Sequence, residues 1–217
     1  MQTVYLTGTL VGCDTATAIG SLAEANCLWG ATPYDFIGRY ISNSSTESSG
    51  DLSSTELSNL VNAVWKVAII QHALAGGTTL TASMGTTYGN NAVNNAKSIG
   101  VPRAAALWLD IENFNTTYSD PMGFCKNWSA AVMADGTYVP ALYYGAPGLS
   151  ATQVNLLMTG GYFSDAWAGC GQATGIGESI DQGPCLTTMS ANCGTAYSVS
   201  IDEDTILSGK TVAFVGA

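Results

Sequence analysis

Short apolar segments recur along the chain, with turn-forming residues between them. Eight segments can be distinguished: Thr9–Cys13, Phe36–Ile41, Val67–His72, Ala105–Glu112, Val139–Tyr144, Ala166–Ala168, Ser179–Gln182 and Tyr197–Ile201. Most are apolar almost throughout, which is the pattern of strands that are covered on both faces. The segments therefore predict a largely parallel sheet of about eight strands.

Helical patterns lie between the first six of these segments. They cover residues 20–30, Ser54–Lys66, Asn90–Ile99, Pro121–Ala134 and Ser150–Met158. The second pattern starts with a capping box, made by Ser53 or Ser54 together with Glu56. Gly136 is a typical terminator of the fourth. The last three apolar segments lie too close together for full helices between them.

The alternation of strands and helices predicts an α/β fold. We expect a TIM-like barrel, irregular, with five β/α units followed by three strands, because 217 residues are fewer than the roughly 250 of a regular barrel. An open doubly wound sheet is the alternative. It requires a glycine-rich phosphate loop after the first strand, and Gly12–Ala16 lacks that pattern. We expect residues 1–217 to form a single domain.

The charge balance excludes several classes of partner. Acidic residues outnumber Lys and Arg by 16 to 6, which gives a net charge of −10. Six basic residues cannot form a nucleic-acid-binding face, and attachment to an anionic membrane is disfavoured. No apolar run is long enough for a membrane-spanning helix, and Met1–Leu10 has no signal-peptide pattern. The protein is therefore expected to stay inside the cell, to leave it by another export route, or to have lost a leader.

Six cysteines leave two interpretations open. They are Cys13, Cys27, Cys125, Cys170, Cys185 and Cys193. The absence of a Cys-x-x-Cys pair argues against a structural zinc site. Buried free thiols are one interpretation, and one to three disulfides in an oxidising compartment are the other.

Acidic residues stand where predicted strands end. Asp14 follows the first segment, Asp110 and Glu112 end the fourth, and Asp202, which we take as the inward-facing residue of an acidic run, follows the eighth. The carboxyl ends of barrel strands share one face, and this face carries the active site. Because closure brings the first strand next to the eighth, we expect Asp14 and Asp202 side by side, opposite Asp110 and Glu112.

The spacing of Asp110 and Glu112 suggests that their two carboxyls act together. Residues two apart on a strand point the same way, about 6.6 Å apart along it. Crowded carboxyls shift one another's pKa values, so that one keeps its proton while another is ionised. Glycoside hydrolases typically use such a pair of carboxyls, one protonated and one ionised. There are two alternatives. These side chains could simply cap turns, or they could form a carboxylate site for Mg²⁺ or Ca²⁺. We predict no metal and no cofactor.

Aromatic and hydrogen-bonding residues fall at the same predicted face. The candidates for substrate binding are Arg39, Tyr40, His72, Tyr144, Trp167 and Gln182. Aromatic faces with polar neighbours suit sugar rings, whose faces are apolar and whose rims are polar. Taken singly, each of these residues could equally belong to the core.

Five segments together resemble a known family. They are Gly12–Thr15, Phe36–Ile41, Ala96–Pro102, Leu107–Glu112 and Tyr143–Gly145. In this order they look like the glycoside-hydrolase-like domain DUF1906, which is related to the family 25 lysozymes, or muramidases. The resemblance extends from about residue 11 to residue 205, and its most specific element is the Asp-x-Glu at the end of the fourth strand.

The resemblance implies a barrel of five β/α units and three further strands. It also implies cleavage of the β-1,4 bond between N-acetylmuramic acid and N-acetylglucosamine. Glu112 would match the general acid, and Asp110 the aspartate that orients the N-acetyl group of the substrate. Asp14 and Asp202 would match the aspartates of the first and eighth strands.

The leading hypothesis is thus a metal-independent, retaining peptidoglycan hydrolase. A non-catalytic glycan-binding barrel is the first alternative, and a hydrolase of another N-acetylhexosamine polymer such as chitin is the second. We expect a monomer that acts outside the cell, or after delivery to the periplasm or cell wall. Its partners would be a glycan substrate and a separate delivery or targeting partner, with neither nucleic acid nor membrane among them.

Overall fold

A computed structural model describes residues 1–172, 175–192 and 196–217. The strands are β1 Gln2–Thr7, β2 Leu10–Thr15, β3 Phe36–Ile41, β4 Lys66–Gln71, β5 Ala106–Ile111, β6 Val139–Tyr144, β7 Ala166–Ala168, β8 Ile180–Gln182, β9 Thr187–Asn192, β10 Ala196–Ile206 and β11 Thr211–Gly216. The helices are α1 Leu22–Ala31, α2 Ser54–Asn62, α3 Ala82–Ser98, α4 Pro121–Asp135 and α5 Ala151–Thr159. Among the described residues, no helix is long and apolar enough to cross a bilayer.

Eight of the described strands close into a barrel. The order around the ring is β2, β3, β4, β5, β6, β7, β8 and β10, with β10 paired again to β2. Strands β2 to β8 run parallel, and β10 is antiparallel to both neighbours. A helix follows each of β2 to β6, whereas the described residues after β7 and β8 form none. The predicted irregular TIM-like barrel, with five β/α units followed by three strands, is therefore confirmed.

The direction of β10 differs from the prediction. Asp202 was expected at the end of a parallel strand, but β10 continues beyond it to Ile206 and runs towards the bottom of the barrel. Asp202 still pairs with Asp14 at the mouth, because the upstream half of an antiparallel strand lies beside the downstream end of β2. Upstream of that pair, β10 forms a hairpin with β9.

Strands β1 and β11, which the apolar pattern did not reveal, close the bottom of the barrel. They pair with each other from Gln2↔Gly216 to Thr7↔Thr211, and β11 meets the first residues of β4. The Phe214 ring packs on Phe36 with centroids 5.0 Å apart. The lower end of the barrel is thereby filled with apolar side chains.

Two helix boundaries needed correction. α2 is capped by Ser53, as expected, but it ends at Asn62 instead of Lys66, because Val64 has a left-handed φ of 63° and Lys66 already belongs to β4. α3 starts at Ala82, well before the predicted Asn90. Its early part contains Gly85, where an added Cβ would collide with the backbone of α4. Glycines that obscured the helical pattern therefore permit close packing of α3 on α4.

Alternation along the strands separates two apolar layers. Alternate residues, such as Trp108 on β5 and Trp167 on β7, fill the barrel interior, and their rings meet edge to face at 5.3 Å. The residues between them, such as Leu107 and Leu109, pack outwards against the helices. This period of two decides which strand-end residues reach the mouth.

Candidate active site

A network of hydrogen bonds joins four strands at the barrel mouth. Asp14 on β2 accepts one bond from the Tyr40 hydroxyl at 2.8 Å and another from Gln182 Nε2 at 2.7 Å. Gln182 Oε1 accepts in turn from the Tyr143 hydroxyl at 3.1 Å and from the Cys170 backbone N–H at 2.8 Å. The position of Asp14 is therefore fixed by β3, β6 and β8 together.

Asp14 lies in surroundings that disfavour its charge. Burial raises the pKa of its carboxyl to about 7, and the nearby charge of Asp202 acts in the same direction. The hydrogen bonds from Tyr40 and Gln182 oppose this shift because they stabilise the ionised form. Asp14 can consequently change protonation state near neutral pH.

Asp110 and Glu112 lie on the inward face of β5 and its extension. Asp110 is only 6% exposed, and its Oδ1 is buried without a hydrogen-bond partner among the described residues. Burial and the charges of Glu112 and Asp14 raise the pKa of Asp110. Glu112 forms a bridge to Gly148, and burial followed by the charge of Asp202 raises its pKa. Both carboxyls of this region therefore favour their protonated forms.

Two hollows open at this end of the barrel. The first, of about 220 Å³, is lined by Asp14, Thr15, Ala16, Thr17, Tyr40, Leu186, Ser200, Ile201 and Asp202. The second, of about 240 Å³, is lined by Glu112, Asn113, Tyr143, Ala146, Cys170, Gln182, Cys185, Leu186 and Asp202. Leu186 and Asp202 border both hollows, so the two hollows adjoin and form the cleft. Asp14, Glu112 and Asp202 border this cleft, whereas Asp110 lines neither hollow.

His72 lies beside this network. Its ring stacks on Tyr40 with centroids 4.7 Å apart, and its Nε2 is 3.0 Å from a carboxylate oxygen of Asp51. Burial lowers the pKa of His72, although Asp51 opposes the shift. The His72 side chain is 34% exposed, and it packs against one face of the Tyr40 ring.

Three predicted substrate-binding residues lie away from the cleft. Arg39 is fully buried outside the strands, where its Nε is 2.7 Å from Glu56. Tyr144 also points outwards, and its hydroxyl donates to a carboxylate oxygen of Glu178 at 2.7 Å. Trp167 is fully buried inside the barrel. Alternation along the strands turns Arg39 and Tyr144 towards the helices, and Trp167 lies below the mouth.

Sequence reasoning missed three features of the site. Tyr143, the inward neighbour of Tyr144, could have been found from the period of two. The same rule would have found Asp204, which is fully buried and accepts from Trp167 Nε1 at 3.0 Å. No sequence signal marks Leu186.

The cysteines divide between both interpretations. Cys170 and Cys185 form a disulfide beside the second hollow. Cys13 and Cys125 are free, buried thiols. Cys193 lies outside the described residues. In the described part of the chain, no group of three or more His, Cys, Asp or Glu side chains is arranged to hold a metal ion.

Comparison with protein families identifies the family of this chain. Residues 26–182 match the family model of the Rv2525c-like, glycoside hydrolase-like domain. The chain belongs to this family. The matched region of the Rv2525c-like domain includes Tyr40, Asp110, Glu112 and Gln182, whereas Asp14 and Asp202 lie outside it. No curated protein matches the chain in sequence.

Solved structures share the fold at low sequence identity. An uncharacterized protein of B. stearothermophilus is 15% identical, with a TM-score of 0.67 over 91% of this chain and 96% of that one. The Tat-secreted protein Rv2525c of Mycobacterium tuberculosis is 16% identical, with a TM-score of 0.65 over 94% and 96%. GHIP, a glycosyl hydrolase 25 of Streptococcus pneumoniae, is 12% identical, with a TM-score of 0.60 over 92% and 88%. The Rv2525c-like domain thus has the barrel fold of family 25 lysozymes.

Proposed function

We propose that residues 1–217 form one domain that hydrolyses peptidoglycan, at the β-1,4 bond between N-acetylmuramic acid and N-acetylglucosamine. The observation that carries this proposal is the meeting of Asp14, Asp110 and Glu112 at the open end of the barrel. Burial raises the pKa of Glu112, although the residue borders an open hollow. A carboxyl that is protonated and accessible is what a general acid requires.

Each carboxyl has a role in the proposed reaction. Glu112 donates its proton to the glycosidic oxygen as the bond to the anomeric carbon breaks. The acetamide oxygen of the substrate attacks that carbon and forms a cyclic intermediate, while the carboxyl of Asp110, two residues before Glu112 on the inward face of β5, accepts the acetamide N–H. Positive charge on the acetamide stabilises the ionised form of Asp110. Glu112 then removes a proton from water, which opens the ring with overall retention.

Asp14 and Asp202 complete the acidic side of the cleft. They are paired across β2 and β10, and both border the first hollow. In the proposed reaction they stabilise positive charge that develops on the sugar ring. Tyr40 and Gln182, which hold Asp14, also offer polar groups for substrate hydroxyls, and His72 supports Tyr40.

The structural neighbours support a glycan substrate and a place of action outside the cytoplasm. Among them are the modular autolysin LytC of Streptococcus pneumoniae, solved with a synthetic peptidoglycan ligand, and the catalytic domain of the endolysin ply40 from a Listeria phage. Rv2525c is a Tat-secreted protein. We propose that this chain acts as a monomer on the cell wall, and that a separate partner or export route delivers it.

The Glu112→Gln variant tests this assignment. It keeps the size of the side chain but removes the transferable proton, so lysis of purified cell wall should fall by about 10²- to 10⁴-fold. Glu24→Gln on α1, which borders neither hollow, is the matched control and should retain full activity. Lysis by Glu112→Gln at the wild-type rate would refute the proposal.

A neutral N-acetylhexosamine polymer such as chitin is a second candidate substrate. Among the described residues that border the hollows, Asp14, Glu112 and Asp202 are acidic and none is Lys or Arg. Such a lining favours a ligand without negative charge. Mass spectrometry of the sugars released from wall and from chitin separates the two candidates. Binding of either polymer with no released product would instead indicate a non-catalytic glycan-binding barrel.

A further inference from the structure

Leu186 is an apolar side chain that stands exposed in the middle of the cleft. Its exposed fraction is 83%, the highest among the large apolar residues that the structure describes. Of the residues that line the two hollows, only Leu186 and Asp202 border both. At this position the side chain offers a ligand in the cleft an apolar surface that binding would remove from water.

The backbone around Leu186 is held in place on both sides. Leu186 has a φ of 53°, a left-handed conformation that non-glycine residues seldom adopt. Its backbone N–H donates to a carboxylate oxygen of Asp202. The preceding residue, Cys185, is bonded to Cys170, whose own backbone N–H donates to Gln182. The segment is therefore anchored to the same network that positions Asp14, and this anchoring maintains a strained conformation.

The size of the hollows indicates how many sugar rings they hold. Volumes of about 220 and 240 Å³ are below the roughly 300–1,000 Å³ of pockets that enclose a drug-sized ligand. Each hollow therefore suits one ring of a polymer, and two consecutive rings would have to pass over Leu186. The apolar CH face of a pyranose is complementary to an exposed leucine side chain.

We propose that Leu186 is a substrate-positioning residue that separates two sugar subsites and contacts a glycan strand lying across both. This inference rests on the glycan substrate of the proposed function. Leu186 sets the register of the strand, so that a glycosidic bond lies between the subsite bordered by Glu112 and the subsite bordered by Asp14. Its anchored backbone means that little conformational freedom is lost when the strand binds.

Calorimetric binding of N-acetylglucosamine oligomers and of soluble peptidoglycan fragments tests this role. The measurements use the Glu112→Gln protein, so that turnover does not interfere. Leu186→Ala should weaken binding of a tetrasaccharide about tenfold, since an apolar contact of this size is lost, and should affect the monosaccharide less. Leu156→Ala on α5, which removes an exposed leucine that borders neither hollow, should bind like the parent.

Leu186→Gly separates positioning from a merely structural role. Glycine adopts a φ of 53° without strain, so this variant should keep or raise Tm while it loses tetrasaccharide affinity. Tetrasaccharide affinities of Leu186→Ala and Leu186→Gly equal to that of the parent would overturn the inference, as would the absence of any binding. If binding depends on Leu186 but Glu112 has no effect on hydrolysis, the proposed function fails and this inference stands.

Discussion

The carboxyl group of Glu112 lies directly against the α-carbon of Gly145. A Cβ added at Gly145 would overlap Glu112 Oε2, and one added at Gly148 would overlap the carbonyl oxygen of Gly145. Glu112 also bridges to Gly148 through the backbone. The turn after β6 therefore leaves room for the carboxyl of Glu112, the proposed general acid, because Gly145 and Gly148 have no side chains.

Gly145→Ala should displace Glu112 without unfolding the barrel. The added methyl group pushes the carboxyl towards solvent, where its pKa falls back towards the ordinary value of 4.5. We expect glycosidase activity to drop by about 10²-fold, which is the scale of a misplaced general acid, and the alkaline limb of its pH profile to move to lower pH. Gly30→Ala on α1, where an added Cβ meets no neighbour, is the control. Unchanged activity of Gly145→Ala would contradict this view of the site.

Stability should fall as pH rises through the titration of Asp14. Its pKa is about 7 in the folded protein and near 4 in the unfolded chain, so between these values the folded state holds a proton that the unfolded state has released. The free energy of unfolding from this group therefore decreases from about pH 4 to about pH 7, by at most about 1.4 kcal/mol per pH unit. Burial shifts Asp110 and Asp204 in the same direction.

Urea denaturation from pH 4 to pH 8 checks this dependence. Asp14→Asn should match the wild type near pH 4, where the native carboxyl is neutral, and should lose less stability at higher pH. The comparison at pH 4 serves as the internal control for changes in packing. Parallel stability curves for the two proteins would show that Asp14 is ionised throughout.

Tyr40→Phe should raise the pKa of Asp14 further, because the lost hydroxyl stabilises the ionised form. Carbon-13 NMR of the aspartate carboxyls measures this shift directly. The removed hydrogen bond should also cost about 1 kcal/mol of stability. Tyr5→Phe, at a residue that is 62% exposed on β1, controls for the chemical change alone. An Asp14 titration that does not move would rule out this coupling.

Arg39→Met should destabilise the protein and leave the chemistry of the cleft intact. The guanidinium group is fully buried, and it binds Glu56 as well as backbone oxygens of Thr15 and Gly50. Removal leaves an uncompensated buried carboxylate, at a cost of about 3–5 kcal/mol. Thermal unfolding measures the loss, and the pH profile of the remaining activity should be unchanged. A selective increase in KM at full stability would instead place Arg39 in contact with substrate.

More of the fold than of the site could be predicted from the sequence. Continuous apolar segments and their spacing were sufficient for the five β/α units, since burial on both faces produces a local signal. Which of two adjacent residues faces inwards depends on the phase of each strand, and the apolar segment that ends in two tyrosines did not distinguish inward Tyr143 from outward Tyr144. The phase of a strand is known once one of its residues is known to face inwards, as Asp110 does on β5.

Other parts of the site depend on pairings that are distant in sequence. β10 reverses direction, and the acidic run within it gives no local sign of this, so the sequence points to Asp202 as the inward-facing residue and not to buried Asp204. Leu186 reaches the cleft because Cys185 is linked to Cys170 and because Asp202 binds its N–H. None of these contacts is encoded in the few residues around Leu186, so no local pattern could have identified it.

The strand pair that closes the bottom of the barrel has a practical consequence. Gln2 and Gly216 are directly paired, so these two residues lie together on the side opposite the cleft. A fluorophore or a solid support attached through a cysteine introduced at either position would leave the mouth facing outwards. Protein immobilised in this way should therefore keep its cleft accessible to soluble glycan fragments.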